Sequence, residues 1–141
     1  MKEIIVIAEH RRGELRDVTW EMLSKGRQLA ESTSGELSVA LLGKEMNSIA
    51  EALKPKVKRV LLIEDPRLEA FNPETYKKAL IQLITERKPF LTLIGHTAMG
   101  MDYAPRLAAS LKIPLATDCI GIEAKDETFS LTRQLYGGKV N

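Results

Sequence analysis

Cysteine is nearly missing from this chain: Cys119 is the single one in 141 residues. That excludes an internal disulfide and any multi-cysteine zinc or iron–sulfur site. Standing between Asp118 and Ile120 in an apolar run, Cys119 reads as a buried core thiol rather than a reactive one. Histidine is scarce too, with His10 and His96 alone. No apolar stretch approaches the roughly 20 residues needed to span a bilayer. Met1-Lys2-Glu3 enters a strand at once, which leaves no room for a signal or transit peptide. A net charge of +2 is too mild to imply nucleic acid. The densest basic run, Lys54, Lys56, Lys58 and Arg59, straddles a turn at Pro55 and reads as a solvated surface. The expectation is a reduced, soluble, cytoplasmic protein with no membrane span and no nucleic-acid partner.

What the chain does have is the composition of an ordinary globular domain, 44% hydrophobic and 28% charged. One domain of this length buries roughly two thirds of its unfolded surface. Short aliphatic runs alternate with helical periodicity. Ile4-Ile5-Val6-Ile7-Ala8 is a first buried strand, and Arg11-Arg12-Gly13-Glu14 forms a turn or a short hairpin with Leu15. Val18, Met22, Leu29 and Ala30 share one helical stripe with Gly26, which permits close approach, and Gly35 closes that helix. Strands follow at Leu37–Leu42 and Val60–Ile63, separated by a short helix carrying Met46, Ile49, Ala50 and Leu53. Asn72-Pro73-Glu74 is a strong helix start, with a capping residue, a proline at the first helical position and an acid in the first turn.

The organising stretch is Pro89 to Leu111. Phe90-Leu91-Thr92-Leu93-Ile94 reads as a strand covered on both faces, followed by the turn Gly95-His96-Thr97-Ala98-Met99-Gly100. A helix is expected from about Asp102, which can cap it, with Pro105 in its first turn. A fifth strand is expected from Leu115 to about Glu123 and a sixth from Thr128 to Gln134, joined as an antiparallel hairpin at a sheet edge. The pattern predicts an α/β, Rossmann-like three-layer sandwich, mainly parallel, of order 3-2-1-4-5, with helices on both faces. The topological switch then lies between strands one and four, where such folds place ligands. Its rim is Ala8-Glu9-His10 and Gly95-His96-Thr97, so both histidines lie there.

The chemistry at this rim is thin. The turn has glycines at Gly95 and Gly100 but Met101-Asp102 where a phosphate-binding loop carries Lys-Ser/Thr, and no G-x-G-x-x-G follows any strand. A carboxylate at the helix start competes with phosphate for its free amides, although those amides could still form an anion nest. His10 and His96 have only Glu9 and a distant Asp118 as further ligands, so solvated histidines are the plainer reading. No serine sits on a strand-to-helix turn as in G-x-S-x-G. No catalytic constellation emerges, and no enzyme with its own active site is expected.

The residues do carry a family resemblance along the whole chain. Ile5-Val6-Ile7-Ala8-Glu9-His10 with Gly13-Glu14-Leu15, then Gly95 to Gly100 with Asp102, Ala104-Pro105-Arg106-Leu107-Ala108-Ala109, Ala116-Thr117-Asp118, and Thr132-Arg133-Gln134-Leu135-Tyr136-Gly137-Gly138-Lys139 resemble the N-terminal domain of the electron transfer flavoprotein alpha subunit. Met101 stands where relatives commonly carry a basic residue, which weakens an anion contact there. The resemblance implies a scaffold and docking domain over 1–136, with 137–141 starting a linker to a second, FAD-binding domain. It also implies a beta subunit as partner and electron transfer from flavin dehydrogenases to a quinone-linked acceptor. FAD belongs to the complete flavoprotein, with none bound by this chain alone. By position, the crevice is Ala8, Gly43, Glu64 and the turn with Gly95, Thr97, Gly100 and Asp102. Arg133 and Tyr136 would approach the second domain, or serve as a strand-edge charge and an interface aromatic. The rival reading is a free-standing adenine-nucleotide-binding module of the universal-stress type using the same crevice. A small hydrolase built on His10 or His96 is a more distant third.

Overall fold

Ile4 and Val6 point to one side of the first strand and Ile5 and Ile7 to the other, each in a separate apolar cluster. That alternation needs helices on both faces, and the computed structural model, which describes residues 2–113, 115–116 and 131–135, shows them. Strand β1 is Glu3–Ile7; β2 (His10–Arg11) and β3 (Glu14–Leu15) form a small antiparallel hairpin. Then come α1 (Asp17–Thr33), β4 (Glu36–Gly43), α2 (Asn47–Leu53), β5 (Arg59–Glu64), α3 (Pro73–Arg87), β6 (Leu91–Gly95), α4 (Ala98–Leu111), β7 (Leu115–Ala116) and β8 (Leu131–Leu135). Helices α1 and α2 cover one face of the sheet through Met22, Leu23, Leu29, Ile49 and Leu53. Helices α3 and α4 cover the other through Tyr76, Leu80, Ile84, Ala104 and Leu107. The expected three-layer sandwich is the fold observed.

Among the described residues the main sheet runs β5-β4-β1-β6-β8-β7, and every neighbouring pair is parallel. The first four expected positions hold. The C-terminal end departs from expectation: the last strand, β8, lies beside β6 and parallel to it, and β7 lies outside β8, also parallel. Period-two alternation reports a half-buried strand and says nothing of its direction. The turn signal at Asp126-Glu127 suggested a tight hairpin. Parallel pairing instead needs a connection of about a dozen residues or more, and the stretch 117–130 is long enough to supply one. Most of the expected fifth strand, with Asp118 and Cys119, lies outside the described residues.

Local chemistry sets the other boundaries. The Asn72 side chain accepts from the amides of Glu74 at 2.9 Å and Thr75 at 3.1 Å, so α3 starts as expected. Helix α1 packs so closely that a Cβ at Gly26 would lie 2.7 Å from Leu37 Cδ1. Its left-handed closing residue is Ser34, with φ of 54°, while the Gly35 amide bonds back to the Ala30 carbonyl at 2.7 Å. Helix α4 begins four residues before the expected Asp102. Its cap is Thr97, whose hydroxyl accepts from the Gly100 amide at 3.1 Å. Asp102 therefore sits inside the helix, facing Arg106 one turn on at 3.7 Å. Pro105 is interior as well, not in the first turn. The backbone bond it cannot donate would go to the carbonyl of Met101, a half-exposed residue where water can substitute.

Candidate functional site

The carboxyl end of β1 leads into the hairpin rather than directly into a helix. Arg12 at φ 53° and Gly13 at φ 79° form its two-residue turn, the left-handed pair that matches the twist of the flanking strands. The base of the hairpin is pinned to α1. The Arg16 amide donates to the Glu9 carbonyl at 2.8 Å, and the Thr19 hydroxyl accepts from the Glu9 amide at 2.8 Å while donating to its carbonyl at 2.9 Å. This clamp fixes Glu9, which is 9% exposed. Its carboxylate accepts a 2.6 Å hydrogen bond from Thr97, the cap of α4. One side-chain pair thus ties the ends of β1 and β6 together.

Two glycines make that approach possible. A Cβ on Gly95 would stand 3.2 Å from Glu9 Oε1 and 3.3 Å from both Val18 methyls. A Cβ on Gly100 would run into the Gly95 carbonyl oxygen, so the first turn of α4 can sit on the strand end only with glycine there.

Above this floor lies a cavity of about 630 Å³, within the usual range for small-molecule sites. The hairpin with Arg11, Arg12 and Arg16 forms one side, the segment Leu68–Phe71 with Tyr76 a second, and Thr97 to Met99 with Asp102 a third. Phe71 meets Tyr76 edge-on, with centroids 5.0 Å apart, and Tyr103 packs behind Tyr76 at 5.5 Å with its ring tilted by 50°. Burial, and secondarily the charge of Glu9, pushes the Tyr76 phenol well above its usual range. Tyr103 is raised by the same burial, with Tyr76 and Glu9 adding to it. Both phenols stay neutral near pH 7 and, being almost fully buried, belong to the packing behind the cavity wall.

His10 Nε2 lies 2.5 Å from the Leu42 carbonyl, and the Tyr76 hydroxyl donates to the same oxygen at 3.4 Å. A carbonyl only accepts, so Nε2 carries the proton and the ring is committed to holding the hairpin over the end of β4. Among the described residues no group of three His, Cys, Asp or Glu could hold a metal ion.

The expected crevice residues divide. Thr97 and Asp102 line the cavity, and Gly95 and Gly100 lie beneath it. Ala8 is buried at the end of β1, its amide donating to the Ala40 carbonyl at 2.9 Å. Gly43 and Glu64 pair in register at the ends of β4 and β5, away from the cavity. There Glu64 accepts from the Met46 amide at 3.1 Å, and the Met46 side chain packs over Gly43. Arg133 lies on β8 opposite Leu93, and Tyr136 lies outside the described residues. Sequence reasoning missed the three arginines, Phe71 and Tyr76 as cavity residues. The Arg-Arg-Gly turn was the one available signal.

Charge at the cavity is uneven. Glu69 pairs with Lys44 at 3.4 Å, Asp102 with Arg106 at 3.7 Å, and Glu9 takes its bond from Thr97. Among the described residues, Arg11, Arg12 and Arg16 make no ion pair and all three are exposed.

Comparison with known proteins gives a consistent picture. A family model described as an electron transfer flavoprotein domain matches residues 4–141. The chain is 37% identical over 142 residues to the electron transfer flavoprotein subunit alpha of Megasphaera elsdenii, covering 99% of this chain and 42% of that protein. It is 37% identical over 139 residues to the subunit of the same name from Bacillus subtilis, covering 98% of this chain and 42% of the relative. It is also 35% identical over 123 residues to the acryloyl-CoA reductase electron transfer subunit beta of Anaerotignum propionicum, covering 86% of this chain and 34% of that protein. The chain thus spans about 42% of the length of the alpha subunits it matches.

Proposed function

The chain belongs to the electron transfer flavoprotein domain family, and from that premise we propose that it is the scaffold and docking domain of an electron transfer flavoprotein alpha subunit. The observation that carries this reading is similarity along nearly the whole chain to proteins of that name, each more than twice as long. A beta subunit and a FAD-bearing second domain complete the assembly. It passes electrons from flavin dehydrogenases toward a quinone-linked acceptor in the cytoplasm. In such a carrier the flavin supplies the redox chemistry, and the protein binds it, orients it and keeps water away. The domain then needs no nucleophile or general base of its own.

The residues after β1 do not fit a flavin. A dinucleotide site there has a glycine-rich turn opening directly onto a helix N-terminus. Here a hairpin intervenes, the buried Glu9 carboxylate sits at the strand end, and Arg16 occupies the N-cap of α1. A pyrophosphate approaching along that path would meet an acid. FAD therefore belongs elsewhere in the complete flavoprotein, and this domain supports it from outside.

The test is reconstitution. The chain purified alone should be colourless. Joined to the remaining length of the alpha subunit and mixed with a beta subunit, it should retain FAD and be reduced by a flavin dehydrogenase. Stoichiometric flavin on the chain alone, or a complete assembly that takes up no flavin, would overturn the reading.

A further inference from the structure

Strand β5 closes one edge of the main sheet, and β4 is its one strand neighbour among the described residues. A row of its backbone donors and acceptors therefore faces outward. Exposed edges are commonly blunted by a charge or a proline within the strand. Here Val60-Leu61-Leu62-Ile63 runs uninterrupted, and Leu62 is 38% exposed, whereas β6 is buried throughout and β4 is buried beyond Glu36. Beside the strand lies a groove of about 500 Å³. Ile63 and Leu68 form one wall, and a stripe of α3 from Thr75 to Glu86, with Lys78, Ala79 and Leu83, forms the other. Helix α3 packs against α4 and leaves this flank of the sheet open.

The charges at the two ends of this edge decide what fits it. Lys58 and Arg59 open the strand, and Glu64 and Asp65 close it. The groove stripe of α3 repeats that polarity, with Lys78 early and Glu86 late. A segment that is basic at its start and acidic at its end matches a second copy of itself running the other way, and repels one running parallel. We propose that two copies of this chain join antiparallel through β5, about a two-fold axis at Leu61, so that their sheets become one. Val60 then faces Leu62 of the partner subunit, and Lys58 faces Glu64 of the partner subunit. This register uses charges that the fold leaves over. Arg59 is held by Glu36 at 2.8 Å and Asp65 holds Arg67 at 2.8 Å, but Lys58 is exposed and makes no ion pair among the described residues. Glu64 accepts from the Met46 amide and, among the described residues, meets no cation. An axis normal to the sheet puts both copies of α3 on one face, where their stripes again oppose unlike charges. The helices add area to a strand seam that is thin beside the about 800 Å² per partner of a standard interface. This pairing goes beyond the electron-transfer role and does not rest on it.

The test follows association of the chain at rising concentration, by sedimentation velocity and by hydrogen exchange of the β5 amides. A dimer should form with a Kd on the order of 10 µM, and amides in the Val60–Ile63 stretch should exchange more slowly as it does. Leu62→Arg should weaken the dimer by roughly tenfold or more, because it sets like charges across the seam. Its side chain is exposed, so the unfolding midpoint should stay close to wild type. Lys58→Glu should weaken the dimer by roughly tenfold, and adding Glu64→Lys should restore it, since unlike charges face each other again. A role for either residue within one copy alone gives no such rescue. Three outcomes overturn the proposal: a chain still monomeric at about 1 mM, a dimer indifferent to Leu62→Arg, or a double variant that associates no better than Lys58→Glu. A chain that uses β5 to pair with a beta subunit but never with itself overturns it equally.

Discussion

At the amino end of the sheet, Glu3 accepts two hydrogen bonds from Arg87, at 2.9 and 2.8 Å, and one from Ser38 at 2.7 Å. Arg59 lies 3.9 Å away and itself holds Glu36 at 2.8 Å. At the carboxyl end, Arg11, Arg12 and Arg16 stand exposed around a cavity whose acids are already bonded elsewhere. The same residue type therefore does two jobs. Where charge is partly buried it is matched, because an uncompensated ion in a low-dielectric setting is expensive. Where it is left over, beside a concave surface, water satisfies it until something else does. The backbone is crowded at both ends: a Cβ on Gly100 would run into the Gly95 carbonyl oxygen, and one on Gly35 into the carbonyl oxygen of Lys2.

The largest effect should come from that crowding. Gly100→Ala places a methyl against the Gly95 carbonyl oxygen, and α4 must lift off β6 to admit it. A loss of roughly 2–3 kcal/mol is expected from urea unfolding, at the upper end for overpacking. A loss below roughly half a kcal/mol would show that the first turn of α4 is not seated as described.

Arg87→Ala tests the matched end. It leaves Glu3, 11% exposed in its side chain, without its forked partner. Part of Arg87 faces solvent, so a loss of about 1–2 kcal/mol is expected at pH 7. The pH dependence has a definite sign. Burial pushes the Glu3 carboxyl up, but the hydrogen bonds from Arg87 and Ser38 and the charges of Arg87 and Arg59 more than offset it, leaving it below its ordinary 4.5. A depressed carboxyl contributes its full stability above its unfolded value and loses it as pH falls through the folded one. The gap between wild type and variant should thus be widest above pH 4.5 and shrink toward lower pH. A gap that is flat with pH would mean the pair contributes through packing alone.

The contrast between the ends also marks how far the sequence could be read. Runs such as Ile4 to Ile7 announce a strand buried on both faces, and the capped start at Asn72 is a local signal that the fold obeys. Helix α4 shows where local signals compete. Asp102 followed by Pro105 looks like a start, yet Thr97 wins because Gly100 alone allows the chain to turn against the strand end. Whether Gly100 is needed depends on β6 packing, which no window of sequence contains. The direction of β8 is equally non-local. At the site, Thr97 and Glu9 are 88 residues apart, so their bond was legible only as two rim positions on a predicted switch point. Topology pointed to the strand ends above which the cavity lies. Gly43 and Glu64 lie away from the cavity because strand ends one step further along the sheet face Met46 instead.

Thr97→Ala probes the link between α4 and Glu9. It removes the cap from the Gly100 amide and the donor to Glu9, for a loss of about 1 kcal/mol. Thr97→Ser should restore most of it, since the hydroxyl does both tasks. If serine fails to rescue, the methyl matters more than the cap.

The smallest stability effect separates the two ends most cleanly. Replacing Arg11, Arg12 and Arg16 together by alanine removes three charges, against one in Arg87→Ala. Exposed and without ion pairs among the described residues, they contribute little to the folded state. The triple variant should unfold within roughly 0.5 kcal/mol of wild type, and at low salt it should be slightly more stable because like charges no longer repel. Raising the salt should narrow any such gain. A loss comparable to that of Arg87→Ala would mean the arginines hold the hairpin in place, and the division between matched and spare charge would fail at its simplest point.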